Sequence, residues 1–378
     1  MIKRLYIDNY KCFVNFELEL RRLNLLLGEN GSGKSTLFEV LRLLRNLIVE
    51  QKTVGELFST KTLTRWQDRE IQTFELEVEG NNGVYSYKLV IGYLRLEEKC
   101  RVELEELRYN GNPLFTFKVG EAQLYKDNFE AGHQYPFDWS RSVLATILPR
   151  RDNTLMTWFK ERISRIHVLR IDPIDMTARS EREDEVPEVD LNNFASWYRH
   201  LSQEEPGKVF DFFNSLKDVI EGFEALKLTS DGGGRAPRTL VMQQRITPEQ
   251  EQERVRHKRV EFDFEEFSDG QRVLITLYSL LHFTVGKSTT LCIDEPDNFV
   301  ALREIAPWLN ELGDISAETS QFLLISHHPE LINMLALEKG IAFLRSYGTG
   351  PVRAKPFSAD TSSGLTVAEL VARGWQGE

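Results

Sequence analysis

Residues Leu23–Ile48 read LNLLLGENGSGKSTLFEVLRLLRNLI. The run Asn24–Leu27 is short and apolar and stops at a glycine, as a buried strand does. From Lys34 onward the apolar positions Leu37, Val40, Leu41, Leu44, Leu47 and Ile48 fall at the three-and-four spacing of an amphipathic helix. Between strand and helix, Gly28-Glu29-Asn30-Gly31-Ser32-Gly33-Lys34-Ser35 satisfies the Walker A pattern. In that order of elements, main-chain N–H groups and the helix dipole converge on bound phosphates, and the glycines let the main chain approach them closely. The expected ligands are ATP and Mg²⁺, cradled by Asn30, Gly31, Ser32, Gly33, Lys34, Ser35 and Thr36. Lys34 is placed to reach the β- and γ-phosphates, and the Ser35 hydroxyl to hold Mg²⁺.

Two further strand ends carry chemistry. In TTLCIDEPDN an apolar strand ends in Asp294 and Glu295; we expect Asp294 to hold Mg²⁺ and Glu295 to act as general base toward the attacking water. In QFLLISHHPELI another apolar strand ends in Ser326-His327-His328, and by its offset from the strand His327 is the residue to sense the γ-phosphate. A third segment, FEEFSDGQRVLITLYSLL (Phe264–Leu281), opens a helix. Ser268 is its N-cap, Gly270 admits a close backbone approach, and Val273, Leu274, Leu277, Leu280 and Leu281 form its core face. Its mouth reads as a second anion site. One chain is not expected to fold both helix mouths around one nucleotide, so the economical arrangement has each chain capping the γ-phosphate held by a second copy.

The rest of the chain sets limits. With 378 residues, 41% apolar and 28% charged, it has length for two domains and the usage of an ordinary folded protein. The longest apolar stretches are far too short to span a bilayer, and MIKRLYIDNYK has no export-signal pattern, so a cytoplasmic protein without membrane contact is expected. Cys12, Cys100 and Cys292 match neither a disulfide framework nor a zinc spacing and read as idle thiols. A net charge of -11 argues against coating DNA through a global basic surface. Residues 72–117 alternate as an antiparallel sheet, while Asn192–Leu201 and Gly207–Ile220 read as helices whose Phe194, Trp197, Phe210 and Phe213 pack a core. The acidic stretch Arg179–Asp190 reads as mobile, and Ala225–Thr229 with Thr239–Arg245 as a hairpin.

With these motifs in place, the chain resembles the ABC-class P-loop ATPases of the SMC, RecF and OLD group, including small AAA-type proteins of phage defence. FSDGQ stands where that group carries Leu-Ser-Gly-Gly-Gln, TLCIDEP resembles its Walker B, and LLISHHPEL its switch-histidine segment. The opening IKRLYIDNYKCFVNFELEL is similar too, so the likeness covers about residues 1–50 and 260–345. It departs from the group at Phe267 and Asp269 in the signature, and Asp297-Asn298-Phe299-Val300-Ala301 lacks the His-Pro that often follows Walker B. Where a Q-loop glutamine would stand, Ile166–Pro173 offers Arg170 and Asp172.

The resemblance implies an α/β fold, an ABC-ATPase head with a mixed, largely parallel core sheet, an antiparallel β subdomain and an inserted helical subdomain. The expected divisions are an N-lobe at 1–118, the helical insert at 119–222 and a C-lobe at 223–378. It also implies ATP hydrolysis, a head-to-tail homodimer or higher oligomer, and control of a separately encoded effector such as a nuclease or toxin. A second reading is a DNA-binding clamp for repair or chromosome maintenance. Arg254, Arg256, His257, Lys258 and Arg259, with Arg150 and Arg151, would then contact phosphates, against the plainer reading of a solvated face interleaved with glutamates. A third class, a small-molecule P-loop transferase, would need neither Ser268 nor a dimer.

Overall fold

The computed structural model describes residues 1–94, 97, 99–230, 237–245, 259–284, 286–315, 320–345, 350–360, 362 and 364–374. In chain order the elements are β1 (Ile2–Asp8), β2 (Phe16–Glu19), β3 (Leu23–Leu27), α1 (Lys34–Val49), α2 (Val54–Leu57), β4 (Ile71–Gly80), β5 (Gly83–Leu94), β6 (Lys99–Tyr109), β7 (Asn112–Lys118), β8 (Glu121–Tyr125) and β9 (Ala131–Pro136). Then come α3 (Val143–Thr146), α4 (Thr154–Ser164), β10 (Ile166–Leu169), β11 (Arg179–Ser180), α5 (Phe194–Glu204), α6 (Pro206–Val219), β12 (Phe223–Thr229), β13 (Arg238–Arg245) and β14 (Arg259–Asp263). The last are α7 (Asp269–Thr284), β15 (Thr290–Asp294), α8 (Leu302–Ile315), β16 (Gln321–Ile325), α9 (Pro329–Lys339), β17 (Gly340–Arg345), β18 (Val352–Pro356) and α10 (Val367–Ala372).

Contacts divide the chain into two compact units, the first made of Met1–Val168, Ser288–Cys292 and Gln321–Glu378, the second of Leu169–Lys287 and Ile293–Ser320. The first holds an eight-stranded sheet in the order β2-β1-β4-β5-β6-β7-β8-β9, whose neighbours are antiparallel. Alternation in β4 sends Gln72, Phe74, Leu76 and Val78 inward, the period of two that one covered face requires. This sheet runs past Lys118 through β8 and β9 into the stretch expected to be helical. EAQLY and AGHQYP carry too few apolar residues to show the alternation, as suits β9 at the sheet's edge and β8 beside it.

A six-stranded sheet follows the order β10-β15-β16-β3-β17-β18. The strand β3 is buried at all five positions and lies parallel to both of its neighbours, β16 and β17. That double parallel pairing explains its full burial and its largely apolar run. Gln321, fully buried, ties the two sheets: its Nε2 donates to the carbonyls of Ile2 (2.7 Å) and Arg21 (2.9 Å), and its Oε1 accepts from Ile2 N and Thr290 Oγ1. A buried amide satisfied on both ends fixes register without the cost of an unmet polar group. All three cysteines are free thiols; Cys12 and Cys292 are buried, and burial pushes both up from the usual thiol range.

In the second unit β13 pairs with β12 on one side and with β11 and β14 on the other. Phe194 stacks on Phe264 at 5.1 Å, Phe212 meets Phe283 edge-on at 5.5 Å, and Trp308 Nε1 donates to Leu277 O. Phe194 and Trp197 are core residues as expected, but the phase of α6 turns Phe210 to solvent and buries Phe212 instead. The acidic stretch is fastened where composition suggested mobility. Arg170 N donates to Val189 O, Asp172 N to Asp190 O and Asp184 N to Ser196 O, all main-chain bonds that side-chain composition does not reveal.

Candidate functional site

The phosphate loop leaves the buried end of β3 and closes on itself before α1. Gly28 has φ +150°, and a Cβ there would lie 2.5 Å from Phe343 O and 2.8 Å from Ser32 Oγ. Gly33, the residue before α1, has φ +99°, and a Cβ on it would meet Cys12 Sγ at 2.9 Å and Val352 at 3.1 Å. These two glycines seat the loop on the sheet. Gly31 (φ +78°) faces open space instead, so the outer rim of the loop is the accessible one. Lys34 is buried, and its Nζ donates to Gly28 O (2.6 Å) and Glu29 O (3.0 Å), holding the ammonium inside the ring of the loop.

The helix α1 begins without a capping side chain and with no acidic residue in its first turn. No acid of its own first turn therefore competes for its first N–H groups or for the positive end of its dipole, which suits a phosphate group. Asn30 and Ser35 are exposed, Thr36 is half-buried and Ser32 is buried. Among the described residues no three His, Cys, Asp or Glu side chains gather into a metal cage. Magnesium needs none, because it is commonly held by one or two protein oxygens together with substrate phosphates and waters. The Ser35 hydroxyl in the first unit and the half-buried Asp294 carboxylate in the second are each an oxygen of that kind, so the donor types present suit ATP with Mg²⁺.

The pairing of β16 with β3 sets Ile325 opposite Leu26. Continued past the strand ends, that register brings Ser326 and His327 level with Leu27 and Gly28. His327 is exposed. His328 is engaged structurally: its Nδ1 accepts from Glu330 N (3.2 Å) as the N-cap of α9, and its own N–H donates to Ser326 Oγ. One further residue of this rim has no signal in the sequence. Arg345, at the end of β17, donates from Nη1 to Gly31 O (3.0 Å) while its guanidinium lies over the Trp66 ring at 5.3 Å. Only the neighbouring of β17 and β3 could have pointed to it.

The remaining candidates fall in the second unit. β15 carries the chain into it at Ile293, and Asp294 and Glu295 follow. Glu295 has φ +53°, and Asn298 N donates back to Glu295 O (3.2 Å). At the mouth of α7, Ser268 and Gln271 bond reciprocally, Ser268 Oγ accepting from Gln271 N (3.3 Å) and Gln271 Oε1 from Ser268 N (3.2 Å). This is the reciprocal cap of a helix start. Gly270 does admit a close backbone approach, by the chain's own main chain: a Cβ there would lie 2.7 Å from Phe299 O. Ser268, Asp269, Gly270 and Gln271 line an open cavity of about 760 Å³ shared with Phe299 and Arg303, and its described lining residues belong to the second unit.

Of the basic positions considered for DNA, Arg254, Arg256, His257 and Lys258 lie outside the described residues. Arg259 is ion-paired with Glu224, while Arg150 and Arg151 are exposed. No helix among the described residues is long and apolar enough to cross a membrane.

Comparison with solved structures gives an SMC head bound to the C-terminal winged-helix domain of ScpA, with TM-score 0.54 at 12% identity, covering 96% of this chain and 99% of that one. The SMC head domain from Thermotoga maritima aligns with TM-score 0.47 at 14% identity, over 95% of this chain and 99% of that one. The first shows the fold to be that of an SMC-type ABC head, with a parallel core sheet beside an antiparallel β subdomain. No curated protein matches the chain. Residues 23–333 match the family described as "AAA domain, putative AbiEii toxin, Type IV TA system", and with most of its length so matched the chain belongs to that family of P-loop AAA-type ATPases.

Proposed function

We propose that the chain hydrolyses ATP to ADP and phosphate, that two copies close head to tail over two nucleotides, and that this closure governs a separately encoded effector, a nuclease or toxin of phage defence. The observation that carries the dimer is the cavity at the mouth of α7, whose described lining residues belong to the second unit and whose rim is the Ser268–Gln271 turn. The helix mouth and Arg303 are the features of that cavity that would receive an anion brought from outside, set against the carboxylates of Asp218, Glu221, Asp269 and Glu304. The effector reading rests on the toxin–antitoxin description of the family, and the SMC head bound to a ScpA domain is a precedent for a head that takes a protein partner. In this reading the Walker A motif belongs to the 1–118 lobe, and the signature, Walker B and switch histidine to the 223–378 lobe, with 119–222 between them.

The chain's residues then divide the work. Asn30–Thr36 cradle the phosphates through main-chain N–H groups, and Lys34 turns from the loop carbonyls to the β- and γ-phosphate oxygens. Ser35 and Asp294 would hold Mg²⁺, which when bound would supply neutralising charge on the phosphate oxygens. Glu295 takes a proton from water as the water oxygen bonds to the γ-phosphorus and the bond to the β–γ bridging oxygen breaks. His327 senses the γ-phosphate, while Ser268 and Gly270 of the partner copy cap it.

The test is Glu295→Gln. Hydrolysis should slow by about 10² or more, the usual contribution of a general base. With MgATP the variant should run at the mass of a dimer in light scattering, and without nucleotide it should release that dimer. A variant that hydrolyses ATP at the normal rate, or stays monomeric with MgATP, refutes the corresponding half of the reading.

A further inference from the structure

The five residues after the Walker B carboxylates form a turn held at several points. Glu295 sits in the left-handed region (φ +53°) and Asn298 N donates to Glu295 O (3.2 Å), which folds the Asn298 side chain back over the glutamate. Asn298 Nδ2 then donates to Glu295 Oε2 at 2.8 Å. Beyond it Phe299 is also left-handed (φ +71°), its carbonyl lies against Gly270, and Val300 N donates to Asp297 O (3.1 Å). Finally Ala301 N donates to Glu304 Oε2 (3.2 Å) in the first turn of α8. Among the described residues, Asn298 supplies the hydrogen bond that the Glu295 side chain receives, and Oε1 receives none.

We propose that Asn298 is a positioning residue for Glu295: by fixing Oε2 it fixes the carboxylate plane and leaves Oε1 to face the attacking water. The inference rests on the reading of Glu295 as general base. A carboxylate can only accept, so the amide nitrogen is the end of Asn298 that faces it. A base free to rotate presents its oxygen to the water for only part of the time, and misplacement near an ångström is costly in rate. Left-handed backbone at two non-glycine residues is itself an expense that this loop geometry imposes. Asn298 is also a good turn former, and that plainer role separates cleanly from positioning, because aspartate forms such turns equally well but cannot donate.

The experiment compares Asn298→Ala and Asn298→Asp in the full chain, alone and combined with Glu295→Gln. Positioning predicts that kcat falls about tenfold in Asn298→Ala with KM for ATP within about twofold, a loss confined to the transition state. Asn298→Asp, isosteric but repelling the glutamate, should fall further than Asn298→Ala. Glu295→Gln/Asn298→Ala should be no slower than Glu295→Gln, since the two act through one group. The thermal midpoint and the Kd for a fluorescent ATP analogue should stay at wild-type values in both single variants. Wild-type kcat in Asn298→Asp, or additive losses in the double variant, overturns the proposal. If Glu295→Gln itself hydrolyses normally, the base assignment is what has failed; if Glu295→Gln is inactive while both Asn298 variants are normal, the Asn298 assignment alone has failed.

Discussion

Glu105, on β6, is fully buried within the antiparallel sheet, and its carboxyl accepts from Ser142 Oγ (2.5 Å), Val143 N (2.8 Å) and Tyr87 OH (2.9 Å). The three donors favour the charged form, but burial outweighs them and raises the group from 4.5 to about 7. A carboxyl whose folded value is raised binds its proton more tightly when folded. Its stabilising contribution is full below the unfolded value and disappears as pH rises through the folded one. Between pH 5 and pH 8 that amounts to about 2–3 kcal/mol of lost stability. Two other groups run the opposite way: burial lowers the Met1 amine to about 5 and the His167 imidazole to about 4, so both favour the folded chain as pH rises. The raw pH profile therefore mixes opposing slopes, and only a difference isolates Glu105. Glu105→Gln cannot titrate; it loses the bond from Val143 N at a pH-independent cost of about 1 kcal/mol. Urea unfolding of both proteins at pH 5, 6, 7 and 8 should show the variant gaining about 2–3 kcal/mol on the wild type across that range. Parallel curves would refute the reasoning and mean that Glu105 is ionised throughout.

Three glycine substitutions test the site's backbone. Gly33→Ala adds a Cβ 2.9 Å from Cys12 Sγ in a left-handed residue, so we expect a loss of about 1–3 kcal/mol in thermal or urea unfolding, and loss of binding of a fluorescent ATP analogue. Gly31→Ala, left-handed but facing open space, is the control and should cost only about 1 kcal/mol. Gly270→Ala must push the Phe299 carbonyl away from a contact of 2.7 Å. It should retain analogue binding at the phosphate loop while ATP turnover drops by about tenfold or more, as measured by phosphate release.

What the sequence made legible is what lies next to its own signal. The strand-loop-helix at Leu23–Ile48 is local: five buried residues, a glycine loop and a helix whose core face follows the expected spacing. The parallel strands β15, β16 and β17 were readable because strands buried on both faces leave continuous apolar runs. The strands β8 and β9 were not, because β9 forms the sheet's edge with β8 beside it, and strands there can be polar and still take their hydrogen bonds from a neighbour. Gly270 was readable as a close-approach site, but the approaching group is Phe299 O, 29 positions along the chain, and no pattern in a single segment encodes that. Arg345 escaped for the same reason, since its role follows from which strand lies beside β3.

The two helix mouths differ in a way that bears on their proposed division of labour. The mouth of α1 carries no capping side chain and no first-turn acid, whereas α7 has Asp269 in its first turn and the Ser268–Gln271 reciprocal cap. Taken alone, the second arrangement would repel a phosphate. Asp269, however, is neutralised from within its own turn: Arg272 Nη2 donates to its Oδ1 at 2.6 Å, and Arg272 Nη1 is held in turn by Pro173 O. The cap does not exhaust Ser268 either. A serine hydroxyl accepts through its lone pairs and donates through its hydrogen, and the bond from Gln271 N uses only an acceptor site. The exposed hydroxyl of Ser268 can therefore donate to a phosphate oxygen without breaking the helix start, and Arg272 offsets the charge of Asp269 in a cavity whose other charged lining residues are Asp218, Glu221, Arg303 and Glu304.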